Sequence, residues 1–115
     1  MAFEKVADLE QVPVGSAYQV EVGGEPLSLV RLDEVTVKAV HDVCSHEEWS
    51  LSEGWVEDNT IECDLHGSVF DLDTGQPEGL PAVKPIPVYA CEVRDTEIWV
   101  DPEKQLNDAP VPRHL

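Results

Sequence analysis

The sequence predicts an all-β fold, an antiparallel sandwich or barrel of short strands. Apolar residues recur at every second position in brief runs, turn residues divide those runs at fairly even intervals, and no segment has amphipathic-helix spacing. A chain of 115 residues has room for one domain with a modest core. Its expected extent is residues 1–101, followed by a C-terminal tail at 102–115 that is extended or disordered, because the last fifteen residues hold three prolines and little apolar periodicity.

Taken in order, Tyr18, Val20 and Val22 alternate with Gln19 and Glu21, Gly23-Gly24 breaks the run, and residues 26–31 follow, which reads as a β-hairpin. After a polar break at Asp33-Glu34, residues 35–40 form a third strand with Val35, Val37 and Ala39 on one face. Residues 42–54 show no period and are rich in His, Ser, Glu and Gly, as a loop is. Short strands are expected at 60–63 and 68–71, then a turn at Asp73-Thr74-Gly75. Residues 76–87 carry Pro77, Pro81, Pro85 and Pro87 with Gly79, so they cannot be helical and form at best an irregular cover loop. Two closing strands, 88–93 and 97–100, flank a turn at Asp95-Thr96.

Twenty-four Asp and Glu against seven Lys and Arg give a formal charge of −17. Such a surface disfavours nucleic acid, whose binding draws on neutralisation of phosphates by cations, and an anionic membrane for the same reason. No apolar run approaches the ~20 residues that span a bilayer, and the start lacks a basic segment followed by an apolar one, so a cytoplasmic protein is expected. Three cysteines without an export signal make a disulfide framework improbable. Long-range steering toward a basic face on a partner protein is the sharper use of this acidity, and solubility the plainer one.

The chemistry is concentrated in two clusters, Cys44-Ser45-His46 and Cys63-Asp64-Leu65-His66, with sixteen residues between them. Two thiols and two imidazoles in tight pairs are metal ligands, and composition and spacing leave two candidates: a structural Zn²⁺ with two cysteines and two histidines, or an iron–sulfur cluster of mixed ligation. Ligand order leans toward the second, since finger-type zinc sites pair like with like and each cluster here offers one of each.

With these motifs the sequence resembles the Rieske family, whose loops have the forms Cys-x-His and Cys-x-x-His with a spacer near this length. The resemblance covers residues 3–101 and includes Gly67, Phe70-Asp71, the turn at Asp73-Thr74-Gly75, and a proline-containing third loop at residues 79–82. It implies one [2Fe–2S] cluster, with Cys44 and Cys63 on one iron and His46 and His66 on the other, and with Pro81 and its neighbours covering the site. Neutral imidazoles in place of thiolates make the histidine-bound iron easier to reduce, and the exposed histidine edges would pass the electron.

The resemblance also implies a subtype. Rieske domains of quinol-oxidising complexes carry a further cysteine in each loop, joined as a disulfide, where this chain has Trp49 and Leu65. They place a serine and a tyrosine after the second histidine to hydrogen-bond sulfur, where this chain has Ser68 and Phe70. Loss of one hydroxyl donor lowers the expected potential toward roughly −150 mV. The expected function is a one-electron ferredoxin between a flavin-dependent reductase and the terminal oxygenase of an aromatic-ring dioxygenase. The alternatives are a Rieske ferredoxin of another cytosolic redox system, such as iron–sulfur assembly or nitrite reduction, and a zinc-stabilised interaction module. Only His41 and His114 remain for a mononuclear iron site, so the chain is not expected to be the oxygenase. His41 reads as a polar strand end, Cys91 as a small buried hydrophobe, Trp99 as core, and Trp49 as either core or partner contact. Glu47 and Glu48 beside His46 read as a solvated pair that could also steer docking.

Overall fold

Strands dominate because β-branched residues alternate with polar ones in runs too short for helices. The computed structural model describes residues 2–45, 49–65, 67–79 and 82–112. Nine antiparallel strands are β1 (Glu4–Asp8), β2 (Ala17–Val22), β3 (Glu25–Arg31), β4 (Val37–His41), β5 (Trp55–Glu57), β6 (Thr60–Glu62), β7 (Val69–Asp71), β8 (Val88–Arg94) and β9 (Glu97–Gln105). They form a six-stranded sheet in the order β1-β9-β8-β4-β3-β2, curled into a near-closed barrel, and a three-stranded sheet β5-β6-β7.

The expected hairpin forms with Ala17 opposite Val30 and Val22 opposite Glu25, around Gly23-Gly24. Arg31 closes this end of the barrel. Its guanidinium donates to the carbonyls of Leu9, Val12, Asp33 and Glu34, which fastens the β1–β2 connection to the end of β3.

Strands β3 and β4 are covered on both faces. Leu27, Leu29, Val37 and Ala39 enter the barrel core with Val12, Val22, Ile98 and Val100. On the opposite face Val30 and Val40, with Val88 of β8, pack against Ile61, Phe70 and Leu72 beneath the small sheet. This double coverage leaves all of residues 27–30 buried, the polar Ser28 included. Lys38 of β4 and Asn59 both donate to Asp73 at 2.7 Å, tying the two sheets at their margin. The Lys38 ammonium holds the Asp73 carboxyl below its ordinary range; the pair is exposed, so it adds little, and that little is lost as acid protonates Asp73.

Several elements differ from expectation. The third strand begins at Val37 rather than Val35, because the Val35 and Thr36 amides donate to Asp33 and turn the chain, leaving Val35 exposed. Strands β1 and β5 were not anticipated; each gains its regularity from a partner, β9 and β6. Strand β9 runs to Gln105, past the expected end at Val100. Trp99 is half-buried on the outer face, where the Arg94 guanidinium lies 4.4 Å from its ring and its indole N–H donates to Glu97, so it is not core. Cys91 is half-buried against the barrel core.

Desolvation pushes the Cys91 thiol up to about 12. At pH 8 about one molecule in ten thousand would carry its thiolate, which is the reactive form. Iodoacetamide at that pH should leave Cys91 unmodified in the folded protein and alkylate it after denaturation, as read by peptide mass. Because the unfolded thiol ionises near pH 9 and the folded one near 12, this residue should lower stability as pH rises through that window.

Candidate metal centre

Both cysteines of the motifs are buried, Cys44 and Cys63 at 0% and 1% exposure, and both belong to the core cluster between the two sheets. Neither is in a disulfide. Each heads a loop built the same way. The Cys44 amide donates to the Trp49 carbonyl at 2.9 Å, and the Cys63 amide to the Ser68 carbonyl at 2.7 Å, so both loops close five residues beyond their cysteine. His46 and His66 fall within these loops but outside the described residues, as do Glu47, Glu48 and Pro81. Among the described residues no group of three or more His, Cys, Asp or Glu side chains is gathered for a metal.

The first loop is held at its base by Asp42, whose side chain is 1% exposed. Its carboxylate accepts from Gln19 Nε2 at 2.6 Å, from the Ser52 amide at 2.8 Å and from the Ser50 hydroxyl. Its main chain donates to Pro26 and accepts from Leu51, so β2, β3 and the far end of the loop converge on one residue. A buried carboxylate is tolerable only with such donors around it. Beside it, His41 ends β4 as expected, fully buried. Its Nδ1 accepts the Val43 amide at 3.3 Å, so Nε2 carries the proton and donates to Glu25 at 2.9 Å.

The two loops are brought together by Gly54. A Cβ there would lie 1.8 Å from the Glu62 carbonyl oxygen and 3.2 Å from the Asp64 amide, so only a hydrogen lets the end of the first loop pass the start of the second. A third segment joins them: Ala82 is buried in the same core cluster as both cysteines, and the Ser45 hydroxyl donates to the Lys84 carbonyl at 2.6 Å. Each of the three segments exposes an apolar side chain beside the centre, Trp49, Leu65 and Val83.

Ser68 tests whether a sulfur-containing group fits. Its hydroxyl is fully buried and, among the described residues, has no hydrogen-bond partner, a loss of about 1–3 kcal/mol unless an acceptor sits there. An inorganic sulfide or thiolate between the loops would supply that acceptor. Phe70, at the other position of interest, is fully buried in the same core and offers no donor. Asp42, Gly54 and Gln19 had no part in the sequence-level site; the one sign of them was an aspartate two positions before the first cysteine, followed by serines at 50 and 52.

A sequence profile described as "Rieske [2Fe-2S] domain" matches residues 2–90. The chain is 33% identical over 103 residues to the ferredoxin component of biphenyl 2,3-dioxygenase from Rhodococcus jostii, covering 90% of this chain and 95% of that one. Its fold superposes with TM-score 0.83 and 36% identity on the ferredoxin of carbazole 1,9a-dioxygenase from Nocardioides aromaticivorans, covering 90% and 100% of the two chains. A further match, with TM-score 0.80 and 35% identity over 89% and 94% of the chains, is a structure titled as a complex of reduced oxygenase and oxidized ferredoxin in carbazole 1,9a-dioxygenase.

The crowding at Gly54 carries an expected outcome. Gly54→Ala should separate the two loops and destabilise the fold by about 3 kcal/mol, measured by urea unfolding. Unchanged stability would show that the loops do not need this close approach.

Proposed function

The chain belongs to the Rieske [2Fe-2S] domain family, and we propose that it is the ferredoxin component of an aromatic-ring dioxygenase, receiving single electrons from a flavin-dependent reductase and delivering them to a terminal oxygenase. The observation that carries this reading is the pair of matching loops, each headed by a buried cysteine of one shared core. The relatives support it, being named as ferredoxin components rather than as catalysts. The whole fold is spent on holding one redox centre near the surface.

In this reading Cys44 and Cys63 bind one iron and His46 and His66 the other, which deepens the fit found at Ser68. When bound, the cluster supplies a site that accepts and releases one electron. The protein's own groups do the rest. The two buried cysteines hold the sulfur side of the site away from water. The Ser68 hydroxyl donates toward sulfur and stabilises added negative charge, while Phe70 donates nothing, so the potential stays at the low end of the Rieske range. Trp49 and Leu65, standing where other Rieske domains pair two cysteines, are 39% and 41% exposed. With Val83 they are exposed apolar side chains, one on each of the three segments that meet at the cysteine core, suited to contact with a partner protein.

The likeness to the ferredoxin in the oxygenase–ferredoxin complex of carbazole 1,9a-dioxygenase supports an oxygenase as the electron acceptor. Among the described residues no helix is long and apolar enough to cross a membrane. The absence of disulfides suits a reducing compartment, and we assign the protein to the cytoplasm.

Anaerobically purified protein should contain iron and acid-labile sulfide in equal amounts and give a one-electron wave at roughly −150 mV. A strongly positive potential would overturn the subtype, and zinc without sulfide would overturn the cluster. His46→Cys or His66→Cys should lower the potential if the cluster assembles, and an unchanged potential would reject those ligands.

The charge of −17 adds a kinetic expectation. The rate of reduction by the reductase should fall as salt rises from low to physiological strength, where fields are screened over about 8–10 Å. Salt-independent rates in stopped flow would rule out electrostatic steering.

A further inference from the structure

Beyond the matched residues 2–90, the chain holds a side chain whose contacts reach back to the metal centre. Asn107 uses all four hydrogen-bonding positions of its carboxamide. Its Nδ2 donates to the carbonyls of Thr74 and Ile86, both at 2.8 Å, and its Oδ1 accepts from the Val88 amide and Gln105 Nε2, both at 3.1 Å. Thr74 and Ile86 are the two stems of the proline-containing segment 75–86. That segment is also pinched by its main chain, since the Ile86 amide donates to the Gly75 carbonyl at 2.9 Å. The neck is tight: a Cβ on Gly75 would lie 2.1 Å from the Ile86 oxygen and 2.6 Å from Asn107 Nδ2.

The sequence brings Asn107 to this neck by interrupting β9. After Asp101 opposite Ala90, the next pair is Gln105 opposite Tyr89, so three residues beginning with Pro102 bulge out of the ladder. The Leu106 amide then donates to the Val88 carbonyl at 2.7 Å, and Gln105 Nε2 donates to the Ala109 carbonyl at 2.6 Å, turning the chain back and setting the Asn107 carboxamide across the stems. At its far side the same segment touches the metal centre, through Ala82 in the core with both cysteines and through Lys84 bonded to Ser45.

We propose that Asn107 is a positioning residue: by clasping the Thr74 and Ile86 stems it fixes how residues 82–86 lie against the cysteine core, so that the C-terminal segment governs water access to the redox group. The link to the redox group rests on the cluster reading above; the clasp itself does not.

The test uses the full-length holoprotein and Asn107→Ala, which removes the clasp without altering charge. Amide exchange in peptides covering 75–86 should accelerate roughly tenfold or more, with β2 to β4 unchanged. Visible absorbance should bleach several-fold faster in air with chelator, at temperatures well below unfolding. The reduction potential should shift upward, because water stabilises the more negative reduced state. Asn107→Asp keeps the acceptor but sets a carboxylate against two carbonyls, so it should accelerate the same amides; it reads the clasp if the alanine variant does not fold.

Exchange at 75–86 equal to wild type overturns the clasp. Faster exchange with unchanged bleaching and potential overturns the claim that it governs the centre. Wild-type protein lacking iron and labile sulfide would defeat the cluster reading alone, since exchange of 75–86 would still decide the clasp.

Discussion

The structure depends on the two-sided burial of β3 and β4. One face of these strands closes the barrel core with Leu27, Leu29 and Ala39, and the other offers Val30 and Val40 as the floor on which the small sheet sits. Burial of that second face fixes the depth and angle of β6 and β7, and so the place where their loops end. Cys44 and Cys63 are members of the floor cluster themselves. Both cysteines proposed to hold the redox group are therefore seated in a hydrophobic core, and any loosening of Val40, Ile61 or Phe70 would be felt directly at their thiols.

Above that floor, small polar contacts brace the two loops. The Asp42 carboxylate gathers Gln19, Ser50 and the Ser52 amide under the first loop, and Gly54 lets that loop lie against the main chain of the second. These are interactions of short range and fixed geometry. They leave Trp49 and Leu65, at the positions a disulfide would occupy, exposed to solvent. The bracing groups are thus buried, while Trp49 and Leu65 stay free on the surface.

Much of this was legible in the sequence because period-two alternation and turn residues report on local backbone. The β2–β3 hairpin, β4 and β6 to β8 all follow from such patterns. What was not legible depended on particular partners, near or far in the chain, rather than on periodicity. Glu4–Asp8 becomes a strand because β9 has an open edge, and Trp55–Glu57 because β6 does. Val35 looks like a strand residue until Asp33 captures its amide. Trp99 looks like core until Arg94 covers it from outside. Asp42 and Gly54 looked like ordinary loop residues, since neither a convergence of three donors nor the approach of one backbone to another leaves a periodic trace. The family resemblance named the cluster but was silent on Asn107, which lies outside the matched span.

The donors around Asp42 have a bearing on modularity. Residues 42–72 contain every motif of the site, both loops and the small sheet, and resemble a cassette that could be moved onto another β scaffold. Yet one of the donors that make the buried carboxylate tolerable is Gln19, from the β2–β3 hairpin that lies outside those residues. A transplanted cassette would arrive with one of the three donors missing from the anion beneath its first loop unless the host strand offered an amide at the same height. Exchange of such centres between proteins, by evolution or by engineering, is therefore easier for whole barrels than for the loops that carry the ligands.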